Sequence, residues 1–428
     1  MLTLPIRSLA VAAVIGFLSV AAVAAPVPAA PTDEQLKEQA LKLNDLTELK
    51  RMDEALKKIL KDKPAAKRLI AVAAKMHADA KGKDKPFKFG AALILGKVAH
   101  NLKKFDVAET FFKFCDETAT KVENPVRMAQ SFEALIDLYW EQKKYDTVTE
   151  LCERLLATDG GKELEPAKMY AVEKMIQGKA RSGDPDTALK LIDQVYKKGW
   201  YSENMRGYVF RESGKLEKAL EAYGKVIESL DDAAGLDKDQ KERFKRNTRY
   251  IMTGILVENK ELDKAADILK ELMKEDPENA TYPNDLGFVW ADHDKNLEES
   301  EKLIRKALDL DKAAREKLLN EKKIDQETAD KQNAAYLDSL GWVLFKMKKY
   351  KEAKKYLLEA SKDDDEGQHL EIWDHLADTH MALDEKKEAI EVWQKALRLA
   401  DVSSRDKARR KAITEKLTKA GGKVRKED

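Results

Sequence analysis

Apolar and polar positions along this chain alternate with a helical period, and the pattern repeats. Eight segments carry a small or compact residue, a polar turn, and a second small residue: Gly96 with Ala108, Ile136 with Val148, Ile176 with Ala188, Gly207 with Ala219, Thr253 with Ala265, Gly287 with Ser300, Gly341 with Ala353, and Ala377 with Ala389. Seven of the eight share an offset of twelve. Close helix crossings need small side chains at the contact, so a fixed pair of such positions marks two helices packed on each other.

Three residues before the second member stands an anchor: Phe105, Tyr145, Pro185, Leu216, Leu262, Leu297, Tyr350 and Lys386. Polar runs such as Lys103-Lys104, Gly183-Asp184, Gly214-Lys215 and Lys348-Lys349 lie just upstream, where one helix can stop and the next begin. Four residues beyond the second small position an apolar side chain recurs at Phe112, Cys152, Ile192, Tyr223, Leu269, Ile304, Leu357 and Trp393, which draws one buried stripe along the second helix. Each unit therefore reads as helix, tight turn, helix. One such pair cannot cover both of its apolar faces, so the units must stack.

The pattern resembles tetratricopeptide repeats, with their Leu-Gly on the first helix, Tyr ahead of the second, and Ala within it. The match is closest over Asn284 to Leu308, Ala335 to Ala360 and Trp373 to Leu397, stretches similar to repeats of bacterial exported, or envelope, proteins. Between residues 101 and 195 the first small residue becomes Ile136 and then Ile176, and the repeats there are degenerate. The resemblance implies an all-α fold, a right-handed superhelical solenoid of helix-turn-helix repeats. It also implies a protein-binding role in which first helices line a concave groove that holds peptide segments.

The remaining chain divides around this array. Residues 1–24 read as a cleavable signal peptide: Arg7, an apolar run from Leu9 to Val23, and a small-residue Ala22-Val23-Ala24 site. About 15 residues at roughly 1.5 Å each span only about 23 Å, short of the roughly 30 Å hydrocarbon core, so no stable membrane span is expected after cleavage. Residues 25–32 read as a linker, 33–87 as an N-terminal helical cap of one diverged pair, 88–401 as about eight repeats with insertions, and 402–428 as a basic capping helix with a disordered tail. Insertions are placed at Gly160 to Pro166, read as a loop, Asp231 to Lys241, read as a loop or longer helix ends, and Asp309 to Asn333, read as an inserted charged helical excursion. The expected location is the periplasm or the outside of the cell.

Composition agrees with stacked amphipathic helices: 37% of residues are charged and 43% hydrophobic. Lys and Arg total 79 against 78 for Asp and Glu, and a net charge of +1 gives no field to draw the chain to nucleic acid. The two cysteines, Cys115 and Cys152, fall on second helices of successive repeats, where a disulfide is possible and a pair of small buried hydrophobes is the alternative.

Chemistry finds no foothold. The six histidines form no His-Glu-x-x-His element, and no Cys-x-x-Cys is present. Asp374, His375, Asp378 and His380 are the densest cluster, yet they flank the small position of a repeat, where turns, caps and packing use such residues. Gly214-Lys215 lacks both the strand and the Ser/Thr of a phosphate loop. No enzyme, metal or cofactor is expected.

Candidate peptide-binding residues are those of the first helices facing away from the small position: Tyr282, Asn284, Asp285, Asp338, Trp342, Phe345 and Asp374. One tetratricopeptide subclass grips carboxylate termini with Lys, Asn and Arg; Asp285, Asp338 and Asp374 instead imply basic or neutral polar segments. The expected partner is thus a protein or peptide, and the chain reads as a scaffold or adaptor. Self-association into a structural component is the alternative, and an accessory subunit of an enzyme a more distant one.

Overall fold

The computed structural model describes residues 31–80, 85–363, 366–399 and 405–424. The signal peptide at 1–24 and most of the break from Gly82 to Pro86 lie outside the described residues. Two compact units make up the chain, Met1–Val172 and Glu173–Asp428. Among the described residues every regular element is a helix.

The first unit contains α1 (Asp33–Lys42), α2 (Leu49–Leu60), α3 (Lys63–Asp79), α4 (Phe89–Asn101), α5 (Phe105–Lys121), α6 (Pro125–Glu141) and α7 (Tyr145–Ala157). Helix α8 (Glu165–Arg181) contains the division. The second unit continues with α9 (Pro185–Val195), α10 (Trp200–Glu212), α11 (Leu216–Leu230), α12 (Lys238–Glu258), α13 (Leu262–Glu275), α14 (Thr281–Asp292) and α15 (Leu297–Asn320). It closes with α16 (Gln326–Asp330), α17 (Ala334–Lys346), α18 (Tyr350–Ala360), α19 (Leu370–Ala382), α20 (Lys386–Ala396) and α21 (Arg405–Lys419).

All eight second helices begin at the anchor residue, from Phe105 in α5 to Lys386 in α20. The turn that makes this possible is one backbone device used eight times. Lys103, Lys143, Gly183, Gly214, Lys260, Asp294, Lys348 and Asp384 all adopt positive φ, the left-handed conformation that ends a helix. The amide of the next residue then reaches back five positions, as from Lys104 to the Ala99 carbonyl (2.8 Å), Lys349 to Leu344 (2.9 Å) and Glu385 to His380 (2.9 Å). Pro185 fits as an anchor because it occupies the first helical turn, where its missing N–H costs nothing and Asp184 caps the Thr187 amide. The one offset that departs from twelve is explained here too: after Asp294 the turn holds a second left-handed residue, Asn296, which absorbs the extra position.

The small positions do what their size requires. A Cβ at Gly96 would lie 2.5 Å from the Phe112 ring, at Gly207 2.8 Å from Tyr223, at Gly287 2.7 Å from Ile304, and at Gly341 2.5 Å from Leu357. In these four repeats the apolar stripe of the second helix therefore seats on the glycine of its own first helix, and Phe112, Tyr223, Ile304 and Leu357 are all buried. Where the first residue is Ile136, the equivalent stripe position holds the smaller Cys152; both are buried, and volume is traded across the pair. This accounts for the degenerate look of that repeat.

One detail differs from the sequence reading and two are made specific. The N-terminal cap is three helices, not one pair: Thr32 and Gln35 form a capping box on α1, and Asp62 caps α3 through the Ala65 amide (2.9 Å). Asn44 ends the first of them by bonding across to the Pro86 carbonyl and the Lys88 amide, both at 2.8 Å. The insertion after residue 309 is chiefly a continuation of α15, which runs 24 residues before the short α16. Cys115 and Cys152 are both buried thiols and are not joined; the Cys115 thiol instead faces the Phe89 carbonyl at 3.6 Å, and burial pushes its pKa up.

The C-terminal helix α21 seats Ile413, Leu417 and Ala420 in one cluster with Leu370, Trp373, Trp393 and Ala396. Covering the last repeat's apolar face in this way keeps it from water. Gly421, at φ 81°, and the Gly422 amide bonded to the Leu417 carbonyl (2.9 Å) end the helix.

Candidate binding face of the first helices

In the second unit α14, α17 and α19 lie side by side. Their small residues, Gly287, Gly341 and Ala377, face the second helices. One turn earlier, three residues before each, stand Asn284, Asp338 and Asp374, and Tyr250 holds the corresponding place before Thr253 in α12. A three-residue step keeps side chains on one flank of a helix, so these positions form a polar ladder along neighbouring first helices.

The ladder is largely satisfied from within. The Tyr250 hydroxyl donates to Asp285 Oδ2 at 2.7 Å. The His375 ring nitrogen Nδ1 lies 2.9 Å from Asp338 Oδ1 and 3.2 Å from Oδ2. Asp374 Oδ1 accepts from the Trp393 indole at 3.1 Å and the Lys416 ammonium at 2.9 Å, while Arg409 approaches its other oxygen at 3.6 Å. Asp338 and Asp374 are buried. The expectation that they offer open carboxylates to a basic ligand is corrected: their charges already meet His375, Lys416 and Arg409.

Tyr282 is also core, packed with Leu269, Leu272 and Leu286 and 5.7 Å from the Tyr250 ring. Trp342 is 9% exposed, held between Phe345 (4.9 Å, 6°) and His375 (4.0 Å, 11°), with its indole N–H on Asp292 at 3.0 Å. Phe345 remains half-buried.

Asn284 and Asp285 are different. Asn284 is 6% exposed; its amide N–H donates to Asp285 Oδ1 at 3.0 Å, and its Oδ1 has no hydrogen-bond partner among the described residues. Asp285 is half-buried. Burial raises its carboxyl pKa, and the bonds from Tyr250 and Asn284 only partly offset this. A buried carbonyl oxygen without a donor costs about 1–3 kcal/mol.

Sequence reasoning missed Tyr250, His375 as the partner of Asp338, and Lys416. The ladder position relative to the small residue was a signal that could have found Tyr250. The dense cluster Asp374, His375, Asp378 and His380 disperses: Asp378 goes to Lys416 at 2.6 Å and His380 to Glu385 at 2.6 Å. Burial and Asp374 raise the Asp378 pKa against the pull of Lys416. Burial works to lower the Lys416 pKa, but Asp374 and Asp378 outweigh it and the ammonium is held above its usual value. Among the described residues, no group of three or more His, Cys, Asp or Glu is arranged to hold a metal.

Residues 333–362 and 370–402, which hold α17 with α18 and α19 with α20, match two family models, each described as tetratricopeptide repeat. These two helical pairs are similar to tetratricopeptide repeats. Repeats of this kind support a protein-interaction scaffold. No curated protein matches the chain. Among solved structures, yeast Tom70 aligns over 91% of this chain and 96% of its own at 14% identity, with a TM-score of 0.42. A tetratricopeptide repeat protein from Parabacteroides merdae aligns over 67% of this chain and 99% of its own at 15% identity, TM-score 0.42. IFIT1, solved with m7Gppp-AAAA, aligns over 92% and 87% at 13% identity, TM-score 0.45.

The tryptophans of the tetratricopeptide repeats serve packing. Trp393 is buried with its N–H on Asp374, and Trp373 donates to the Gly367 carbonyl at 2.9 Å beneath the Lys395 ammonium, 3.7 Å from its ring centroid. Among the described residues no helix is long and apolar enough to cross a membrane.

Proposed function

We propose that this chain is an exported, non-catalytic scaffold of a bacterial cell envelope, binding peptide segments of other proteins along the first helices of its repeats. The observation that carries the reading is the acceptor-rich patch of α14. Asn284 Oδ1 is buried without a donor, next to the half-buried Asp285 carboxylate. The oxygens of both groups accept hydrogen bonds, so the complementary ligand brings N–H groups: the backbone of an extended segment, or a Lys or Arg side chain. The half-buried Tyr336, whose hydroxyl meets Thr281 of α14 at 3.1 Å and which feels the Asp285 charge, suits the apolar parts of such a segment.

Export rests on the signal-like pattern of residues 1–24. A fusion of residues 1–32 to a reporter enzyme active only outside the cytoplasm tests it, with signal expected and its absence contradicting export. Selection of displayed random peptides on the full chain tests the binding chemistry. Enrichment of Lys, Arg and polar residues that is lost on Asp285→Ala supports the reading, and enrichment of acidic termini contradicts it.

A further inference from the structure

His375 is 2% exposed and sits where three first helices meet. From α17, Asp338 bonds its Nδ1 at 2.9 Å and the Trp342 ring stacks flat on it at 4.0 Å. From α14 comes Phe288, 6.3 Å away. The charges that act on it are Asp338, Glu371 on its own helix and Arg409 of α21; Asp378, also on α19, feels the imidazole in turn. On the other side of α19, Lys354 of α18 and Glu385 ahead of α20 meet one another at 2.6 Å and engage His380.

We propose that His375 is a proton-operated clamp on the binding face: as imidazolium it fixes α17 to α19 through Asp338 and Trp342, and loss of its proton loosens those two helices. The charged ring pairs with a buried carboxylate and lies over an indole face, two contacts that strengthen with positive charge. When the ring is neutral, Asp338 is a buried carboxylate without a counter-charge, which is costly. Burial acts to lower the imidazole's pKa, but the charge and hydrogen bond of Asp338 outweigh it and hold the value above the usual histidine range, with Glu371 assisting and Arg409 opposing. A raised folded value means that the clamp's contribution is complete below the unfolded value of about 6.5 and is lost as pH rises through the folded one. As regulation of the binding face, the clamp rests on the function proposed above. As a device of the fold, it does not.

Hydrogen exchange of the full chain between about pH 5.5 and about pH 8.5, corrected for intrinsic rates, reads the clamp without a ligand. Protection in α17 and α19 should fall with rising pH, about tenfold for each unit by which the imidazole is elevated, while α4 and α5 stay level. His375→Gln, which keeps a donor and removes the charge, should abolish that dependence. If this variant does not fold, Asp338→Asn carries the comparison, and the imidazole resonance of the native chain should titrate above the ordinary histidine value. Level protection in α17 and α19 across the range, or a His375 titration below the ordinary value, overturns the clamp. Failure of the peptide selection with an intact clamp would instead remove only the binding reading.

Discussion

Gly341→Ala separates helix propensity from helix packing in a single methyl group. Residue 341 is inside α17, where alanine gains about 1 kcal/mol over glycine if nothing else changes. Its new Cβ would lie 2.5 Å from Leu357 Cγ, 2.9 Å from Leu357 Cδ2 and 3.3 Å from the Ala353 carbonyl. The crowded atom is a branch point of a fully buried side chain, not the loose end of a flexible one, so α17 and α18 must separate or Leu357 must leave its rotamer. Overpacking of this kind costs about 1–3 kcal/mol, and the expected net effect is destabilisation by up to about 2 kcal/mol. Gly224→Ala is the matched control, because nothing lies within 4 Å of a Cβ there in the middle of α11, and it should stabilise by up to about 1 kcal/mol. Urea unfolding of the three proteins, followed by hydrogen exchange in α17 and α18, gives both numbers. If Gly341→Ala stabilises the chain as Gly224→Ala does, the glycine-on-stripe packing assigned to the repeats is wrong.

Lys348 is exposed and holds φ 62°, a conformation that costs a side chain about 1–2 kcal/mol; after glycine's own entropy loss of about 0.5–1 kcal/mol, Lys348→Gly should raise stability by about 0.5–1 kcal/mol in a denaturant titration. Lys416→Met leaves Asp374 and Asp378 without their ammonium at a partly exposed site, and should weaken α21 docking by about 1–2 kcal/mol after solvent screening, read as faster proteolysis of the C-terminal segment. The Arg249 guanidinium bonds Glu275 Oε1 at 2.7 Å and holds that carboxyl below its usual range against the effect of burial; its contribution should therefore be present above about pH 4.5 and fade as pH falls through the lowered value, so Glu275→Gln should cost under about 1 kcal/mol at neutral pH and nothing in acid. Cys115 and Cys152 should resist a thiol reagent in the native protein and both react once it is unfolded without reductant; a single species lacking thiols would show the bridge that the fold does not contain.

The repeat frame was legible because it depends on local patterns. An anchor residue, a polar turn and a small residue recur at fixed spacing, and each corresponds to a helix start, a left-handed turn residue or a close crossing in the fold. The length of α15 and the third helix of the N-terminal cap were less legible, since both follow from caps and charged helical stretches that carry no repeat signal. The binding face was read only in part. Asp285 and Phe345 stay half-buried, but Asn284, Asp338, Trp342, Asp374 and Tyr282, chosen by residue type and helix face alone, are buried. Their burial is decided by neighbours distant in the sequence: His375 comes 37 residues after Asp338, and Lys416 comes 42 after Asp374. No local pattern announces such pairs until the stacking of the first helices is known.

The claim that the first helices form the working surface is tested most directly by crosslinking. The full chain, and an Asp285→Ala/Phe345→Ala variant whose melting temperature stays within about 2 °C, are incubated with envelope extract from the protein's own source. Bound proteins are crosslinked and the linked residues mapped by mass spectrometry. The account predicts links that cluster on α12, α14 and α17 and partners that the variant no longer retains. Partners retained equally by both proteins, linked through the second helices α13, α15 and α18, would contradict it.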